Sequence, residues 1–182
     1  MLQKIKHILV RIFKHRASKQ GAILDANQVL RERGVRLGNN VSIIAIPHTS
    51  SEPYLISIGD NTTISFEVAF ITHDASTRVI RNLPDGNPET VIYGPITVGK
   101  NCFIGARTTI LPNVNIGDNT IIGACSLVNH NIPSNVVAAG NPCKVICTLD
   151  EYRKKHKDDF LYMVSLPDEQ KKAFLTKKFE VE

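Results

Sequence analysis

The sequence predicts a mainly β fold, a solenoid wound from short parallel strands, on three observations. Val98, Ile104, Ile110, Ile116, Ile122 and Val128 are consecutive β-branched anchors, each six residues from the next. Gly follows four of them, at Gly99, Gly105, Gly117 and Gly123. Compact residues recur four places after each anchor, as Cys102, Thr108, Val114, Thr120, Ser126 and Ile132. A helix would bring apolar residues round every three or four positions and a plain strand every two, so a strict six calls for a short strand followed by a tight corner. Three such sides close a triangular coil of about eighteen residues, with the anchors pointing inward and each strand paired to the next coil about 4.8 Å away. Gly, Asn and Asp at the corners are expected to supply positive-φ conformations that β-branched residues resist.

A weaker copy of the pattern runs earlier, through Leu37-Gly38-Asn39-Asn40-Val41 and Ile58-Gly59-Asp60-Asn61-Thr62, then Ile64 and Phe70. Two excursions interrupt it: IPHTSSEPYL at residues 46–55 and STRVIRNLPDGNPETV at residues 76–91. Excising the second restores the six-residue phase from Phe70 to Val98, with Ile92 as the resumed anchor. On that count Phe70 stacks on Ile104 and Ile122, and Thr72 and His73 share corner columns with Ala106, Arg107, Ala124 and Cys125. Three segments follow: a helical cap over residues 1–34, the coil over residues 35–148, and a helical extension over residues 149–182. Open solenoid ends need covering, and a helix near Asp25 to Arg33 suits one of them. At the other, Pro142 stops the last coil, and LDEYRKKHK and PDEQKKAFLTKKF read as polar helices, Pro167 favouring the start of the second.

The formal net charge of +5 is local: Lys4, Lys6, Arg11, Lys14, Arg16 and Lys19 stand without an acid in the first twenty residues, and the rest of the chain carries −1. A folded body near neutrality, with 6% aromatic residues, offers no basic stacking groove for nucleic acid. Leu2, Ile5, Leu9, Ile12 and Phe13 fall at helical spacing among those cations, which fits either an anionic membrane surface or a helix docked on protein. That run is too short and interrupted to span a bilayer and lacks a cleavage signal, so a cytoplasmic protein is expected, at the inner membrane face if these residues bind lipid. Cys102, Cys125, Cys143 and Cys147 form no CxxC pair and read as reduced thiols.

The motifs ITHD, GPITVGKNCFIGARTTILPNVNIGDNTIIGACSLV and IPSNVVAAGNPCKVI resemble the left-handed β-helix, hexapeptide-repeat acyltransferases over residues 35–148. The closest pattern is similar to the branch of galactoside, maltose and capsule or lipopolysaccharide sugar O-acetyltransferases. The resemblance implies left-handed coiling, acetyl-CoA as cosubstrate, no required metal, and a homotrimer with sites between neighbouring prisms. It also implies acetyl transfer to a sugar hydroxyl in surface polysaccharide synthesis. Acetylation of an antibiotic or another small hydroxyl compound is the nearest alternative, then serine acetylation. A zinc enzyme similar to γ-type carbonic anhydrases would need three converging histidines, and only His48, His73 and His130 lie in the coil.

Acetyl transfer from a thioester to a hydroxyl needs a base for the acceptor proton and donors for the oxyanion, and a histidine suits the first task. The family's base falls on His73. Its cofactor contacts fall on Ala106 and Ala124 for the pantetheine arm, Asn129 and His130 for the adenine half, and Lys144 for a phosphate. Cys147 stands where galactoside-type enzymes tend to carry a second Arg, a departure at the phosphate site. Glu52, Asp74 and Asp85 are the candidates for acceptor binding, and Asp74, Glu67 or a main-chain carbonyl for orienting the imidazole.

Overall fold

In a computed structural model the described residues are 25–181. The expectations for the basic N-terminal stretch, helix, membrane contact and capping alike, lie outside them apart from Asp25 to Gly34. There Asp25 accepts a hydrogen bond from the Asn27 amide and starts α1, Ala26–Glu32, whose Leu30 is fully buried.

Short strands then follow one another around a triangular prism. One face carries β1 (Arg36–Leu37), β4 (Ile56–Ile58), β9 (Ile96–Val98) and β12 (Asn115–Ile116). The second carries β2 (Ser42–Ile43), β5 (Thr63–Ile64), β10 (Phe103–Ile104), β13 (Ile121–Ile122), β15 (Val136–Ala139) and β16 (Lys144–Thr148). The third carries β3 (His48–Thr49), β6 (Ala69–Phe70), β11 (Thr109–Ile110) and β14 (Leu127–Val128). All pairings within these faces are parallel except that of β15 with β16. The six anchors from Val98 to Val128 are at most 1% exposed, and the compact residues four places on are at most 4% exposed. Burying such a β-branched side chain is worth about 1.5–3 kcal/mol. Interior hydroxyls are satisfied on the neighbouring coil: Thr62 donates to the Gly99 carbonyl and Thr108 to that of Gly123.

The corners correct one expectation. Positive φ is supplied by Asn40, Asn61, Asn101, Asn113, Asn119 and Asn135, and at one corner by Glu67, Arg107 and Cys125, while the glycines after the anchors do not adopt it. Those glycines are needed for closeness of approach. A Cβ on Gly105 would lie 2.5 Å from the Ala124 amide nitrogen, and one on Gly59 2.7 Å from the Gly99 carbonyl carbon. The asparagines add side-chain ladders along their corner, Asn101 to Asn119 at 2.8 Å and Asn119 to Asn135 at 3.0 Å.

The register of the long insertion is also corrected. Phe70 stacks on Ile110 and Val128, whereas Ile64 stacks on Ile104 and Ile122. Ile64 and Ile104 are forty residues apart, so twenty-two residues rather than sixteen separate this step from an eighteen-residue coil. Counting in sixes fixes the phase of a side but not which side it is. Ile92 is no anchor: it is 48% exposed in β8 (Ile92–Tyr93), which leaves the prism and pairs antiparallel with β7 (His73–Asp74). This hairpin closes the insertion, which contains α2 (Thr77–Arg81), and the coil resumes at Ile96.

After β15 the chain turns through Gly140 and Pro142 into β16 rather than ending there. Residues 150–182 form a separate compact unit. It holds most of α3 (Leu149–Lys155) and all of α4 (Asp168–Phe179), with Pro167 at the N-cap of α4. Acids in the first turn and lysines in the last complement the dipole of each helix.

Candidate active site

The site is built where the third face turns toward the first. An uninterrupted chain there would place corner residues level with Pro112 and His130, as the pairing of Phe70, Ile110 and Val128 dictates. Instead the chain leaves the prism at Thr72 and returns at Gly94, whose amide donates to the Thr72 carbonyl at 2.9 Å. His73 is the first residue of the departing strand and faces Tyr93 across the hairpin, their ring centroids 6.1 Å apart in an edge-on arrangement.

The 46–55 excursion comes back to meet it. Ser50 Oγ accepts from the Thr72 amide at 3.2 Å, and Glu52, only 9% exposed, brings Oε2 to 2.8 Å from His73 Nδ1 and to 2.8 Å from Thr72 Oγ1. Burial works to raise the Glu52 pKa, but the hydrogen bonds from His73 and Thr72 and the charge of His73 together hold the carboxyl below its ordinary range. An ionised carboxylate on Nδ1 selects the tautomer in which Nε2 accepts a proton, and it stabilises the imidazolium that results. The arrangement can therefore do general-base chemistry on a hydroxyl presented to Nε2.

Beside His73 lies a cavity of about 680 Å³, bounded by His48, Ser51, Asp74, Ser76, Leu111 and Pro112 among others. Its size suits a small polar molecule.

The predicted site residues divide between two corners. His73, Glu52, Asp74, Asn129 and His130 share the corner between the third and first faces, with the His130 ring nitrogen Nδ1 2.9 Å from Asn129 Oδ1. Ala106 and Ala124 stand at the corner between the second and third faces, level with Phe66, where the Arg107 amide donates to the Phe66 carbonyl and the Cys125 amide to that of Ala106. Lys144 joins this second corner, since it pairs with Ala139, one step past the Ile122 and Ala138 register. Thr72 and His73 are thus not in the columns of Ala106 and Ala124, a consequence of the corrected register.

The three acids also resolve. Glu52 holds the imidazole and the buried Thr72 hydroxyl, so its carboxylate is directed at His73 rather than presented as a separate acceptor contact. Asp74 lines the cavity, but one oxygen already accepts from the Ser76 amide, which keeps its pKa low. Asp85 is exposed on the insertion and does not line the cavity. Of the proposed orienting groups, Glu67 is engaged by Arg107 at 2.7 Å on the other corner. Glu52, expected at the acceptor and not among the proposed orienting groups, is the carboxylate that meets the imidazole; it lies twenty-one residues before His73, and its place in the first excursion is the one signal in the sequence that could have found it. Among the described residues no three His, Cys, Asp or Glu side chains are grouped to hold a metal ion, and no helix is long and apolar enough to cross a membrane.

Comparison with known proteins agrees with this architecture. Residues 88–130 match the family model described as bacterial transferase hexapeptide (six repeats). Protein CapG of Staphylococcus aureus is 37% identical over 153 residues, covering 83% of this chain and 87% of the relative. Galactoside O-acetyltransferase of Escherichia coli is 42% identical over 59% of this chain, which spans about half (51%) of that relative. Among solved structures, a maltose O-acetyltransferase from Clostridium difficile aligns with TM-score 0.54 at 25% identity, over 70% of this chain and 79% of that one. A galactoside acetyltransferase in complex with coenzyme A aligns with TM-score 0.54 at 27% identity, over 80% of this chain and 79% of that one. The triangular prism of six-residue sides is accordingly the left-handed β-helix of these proteins, and the chain belongs to the hexapeptide-repeat transferase family as one of its acetyltransferases.

Proposed function

We propose that the protein transfers the acetyl group of acetyl-CoA directly to a sugar hydroxyl in surface polysaccharide synthesis, with His73 as general base. The observation that carries this reading is the His73–Glu52 pair at 2.8 Å beside a cavity wide enough for a sugar. The acceptor hydroxyl gives its proton to Nε2 as its oxygen attacks the thioester carbonyl. The C–S bond then breaks, and CoA leaves as the thiol with that proton returned. Glu52 is a positioning residue in this scheme. The sugar as acceptor follows the printed names of the galactoside and maltose enzymes. Thiol release from acetyl-CoA across a panel of sugars, nucleotide sugars, antibiotics and serine tests it. A best substrate that is not a sugar would overturn the acceptor class.

Ala106, Ala124 and Lys144 form the proposed cofactor corner, a run of small residues ending in a cation suited to a CoA phosphate. Asn129 and His130 lie on the histidine corner, where a CoA held between two prisms would meet them. Because the two corners flank opposite edges of the third face, one chain does not bring base and cofactor groove together. A homotrimer in which one chain's histidine corner faces the next chain's cofactor corner completes the site. Light scattering on active enzyme is expected to give a trimer, and a fully active monomer would sink this arrangement. For Lys144→Ala, the Michaelis constant for acetyl-CoA is expected to rise roughly threefold to tenfold with kcat little changed, as befits an exposed charge-assisted contact. An unchanged constant would remove Lys144 from the cofactor site.

A further inference from the structure

Seven polar or charged residues among those described are buried: Glu52, Thr62, Thr72, Thr77, Thr108, Thr120 and Ser126. The hydroxyls among them follow one rule with one exception. Thr62 donates to the Gly99 carbonyl, Thr77 to that of Asp74, Thr108 to that of Gly123, Thr120 to those of Asp118 and Pro133, and Ser126 to that of Gly123. All of these bonds go to main-chain carbonyls, those of Thr62, Thr108, Thr120 and Ser126 within the coil and that of Thr77 within the insertion. Thr72 alone, fully buried, donates its hydroxyl to a carboxylate, Glu52 Oε2 at 2.8 Å.

The coil does not require a threonine there. The positions level with Thr72 in the next two coils are Pro112 and His130, neither of which has a hydroxyl. What is peculiar to this level is the departure of the chain into the insertion. Thr72 ties that departure at three points: its amide to Ser50 of the first excursion, its carbonyl to Gly94 of the returning chain, and its hydroxyl to Glu52. The carboxylate oxygen it binds is the one that His73 Nδ1 binds. A lone His–Glu contact leaves the carboxylate free to swing about its side-chain torsions, whereas a second donor on the same oxygen, fixed to the scaffold one residue before the histidine, sets its position.

We propose that the Thr72 hydroxyl is a positioning group for acetyl transfer, holding the Glu52 carboxylate aimed so that His73 carries its neutral-state proton on Nδ1 and presents Nε2 to the acceptor. The proposal rests on the reading of His73 as general base. It predicts opposite outcomes for two variants that a packing role would order the other way. Thr72→Val keeps the β-branched shape and the amide bond to Ser50 but loses the hydroxyl. Thr72→Ser keeps the hydroxyl and loses the methyl.

Steady-state kinetics of both variants with acetyl-CoA and the best acceptor, beside wild type and His73→Ala, make the test. The expected result is a fall in kcat of about tenfold or more for Thr72→Val, with the Michaelis constant for acetyl-CoA unchanged and Thr72→Ser within about threefold of wild type. Nitrogen-15 NMR of histidine-labelled wild-type protein is expected to find neutral His73 protonated at Nδ1, a readout independent of whether the valine variant folds. Wild-type kcat in Thr72→Val, serine as damaging as valine, or neutral His73 protonated at Nε2 would each overturn the proposal. Full activity of His73→Ala would instead remove the base on which the proposal stands, so the two failures are told apart.

Discussion

His73→Ala is expected to lower kcat by about 10²- to 10⁴-fold, the usual cost of removing a general base. The substituted side chain is 31% exposed at the mouth of a cavity, and its polar contact is to Glu52. Folding should therefore be little affected, and the thermal unfolding curve should stay near that of wild type. Acetyl-CoA affinity should also hold, because the proposed cofactor contacts are made by Ala106, Ala124, Asn129, His130 and Lys144 and not by His73. The measurement is thiol release with a saturating acceptor, paired with direct CoA binding by calorimetry. Retention of full turnover would remove His73 from the chemistry and, with it, the role given to Glu52.

Ile104→Ala is expected to destabilise the coil by about 2–5 kcal/mol, the range for truncating a fully buried isoleucine to alanine. Ile104 is 0% exposed and sits in an unbroken stack between Ile64 and Ile122. Its neighbours cannot collapse into the gap, because the glycine corners already hold the coils at minimum separation. A Cβ at Gly105 would approach the Ala124 nitrogen to 2.5 Å, so there is no slack along the stack at that corner. Urea titration followed by circular dichroism gives the shift in midpoint. A change below about 1 kcal/mol would mean that the interior is not packed at this level.

The coil itself was legible because a solenoid writes its geometry into the sequence as a spacing. Every anchor from Val98 to Val128 reached the interior, and so did the compact residues between them. What the spacing carries is phase, and phase repeats with each side. An insertion of sixteen or of twenty-two residues leaves the sixes intact, so only the pairing of Phe70 with Ile110 assigns the corner. That slip moved His73 from the corner of Ala106 and Ala124 to its neighbour. The glycine rule failed differently, because a small residue at a corner answers to two constraints. The sequence does not distinguish a backbone needing positive φ from one needing room for the next coil. Glu52 shows a third limit: its partner His73 lies on another excursion, and no local pattern links the two.

The reversal of chain direction between β15 and β16 bears on how long the molecule is allowed to become. Successive parallel coils present the same hydrogen-bonding edge, so a solenoid is in principle a thread to which further turns, or further copies, add without limit. An antiparallel strand breaks that translational repeat, since its paired groups alternate narrow and wide spacings that a parallel newcomer does not match. The register shift between Val137 and Ala138 distorts the approach to that edge as well. On this face the last strand therefore works against the addition of a further parallel coil.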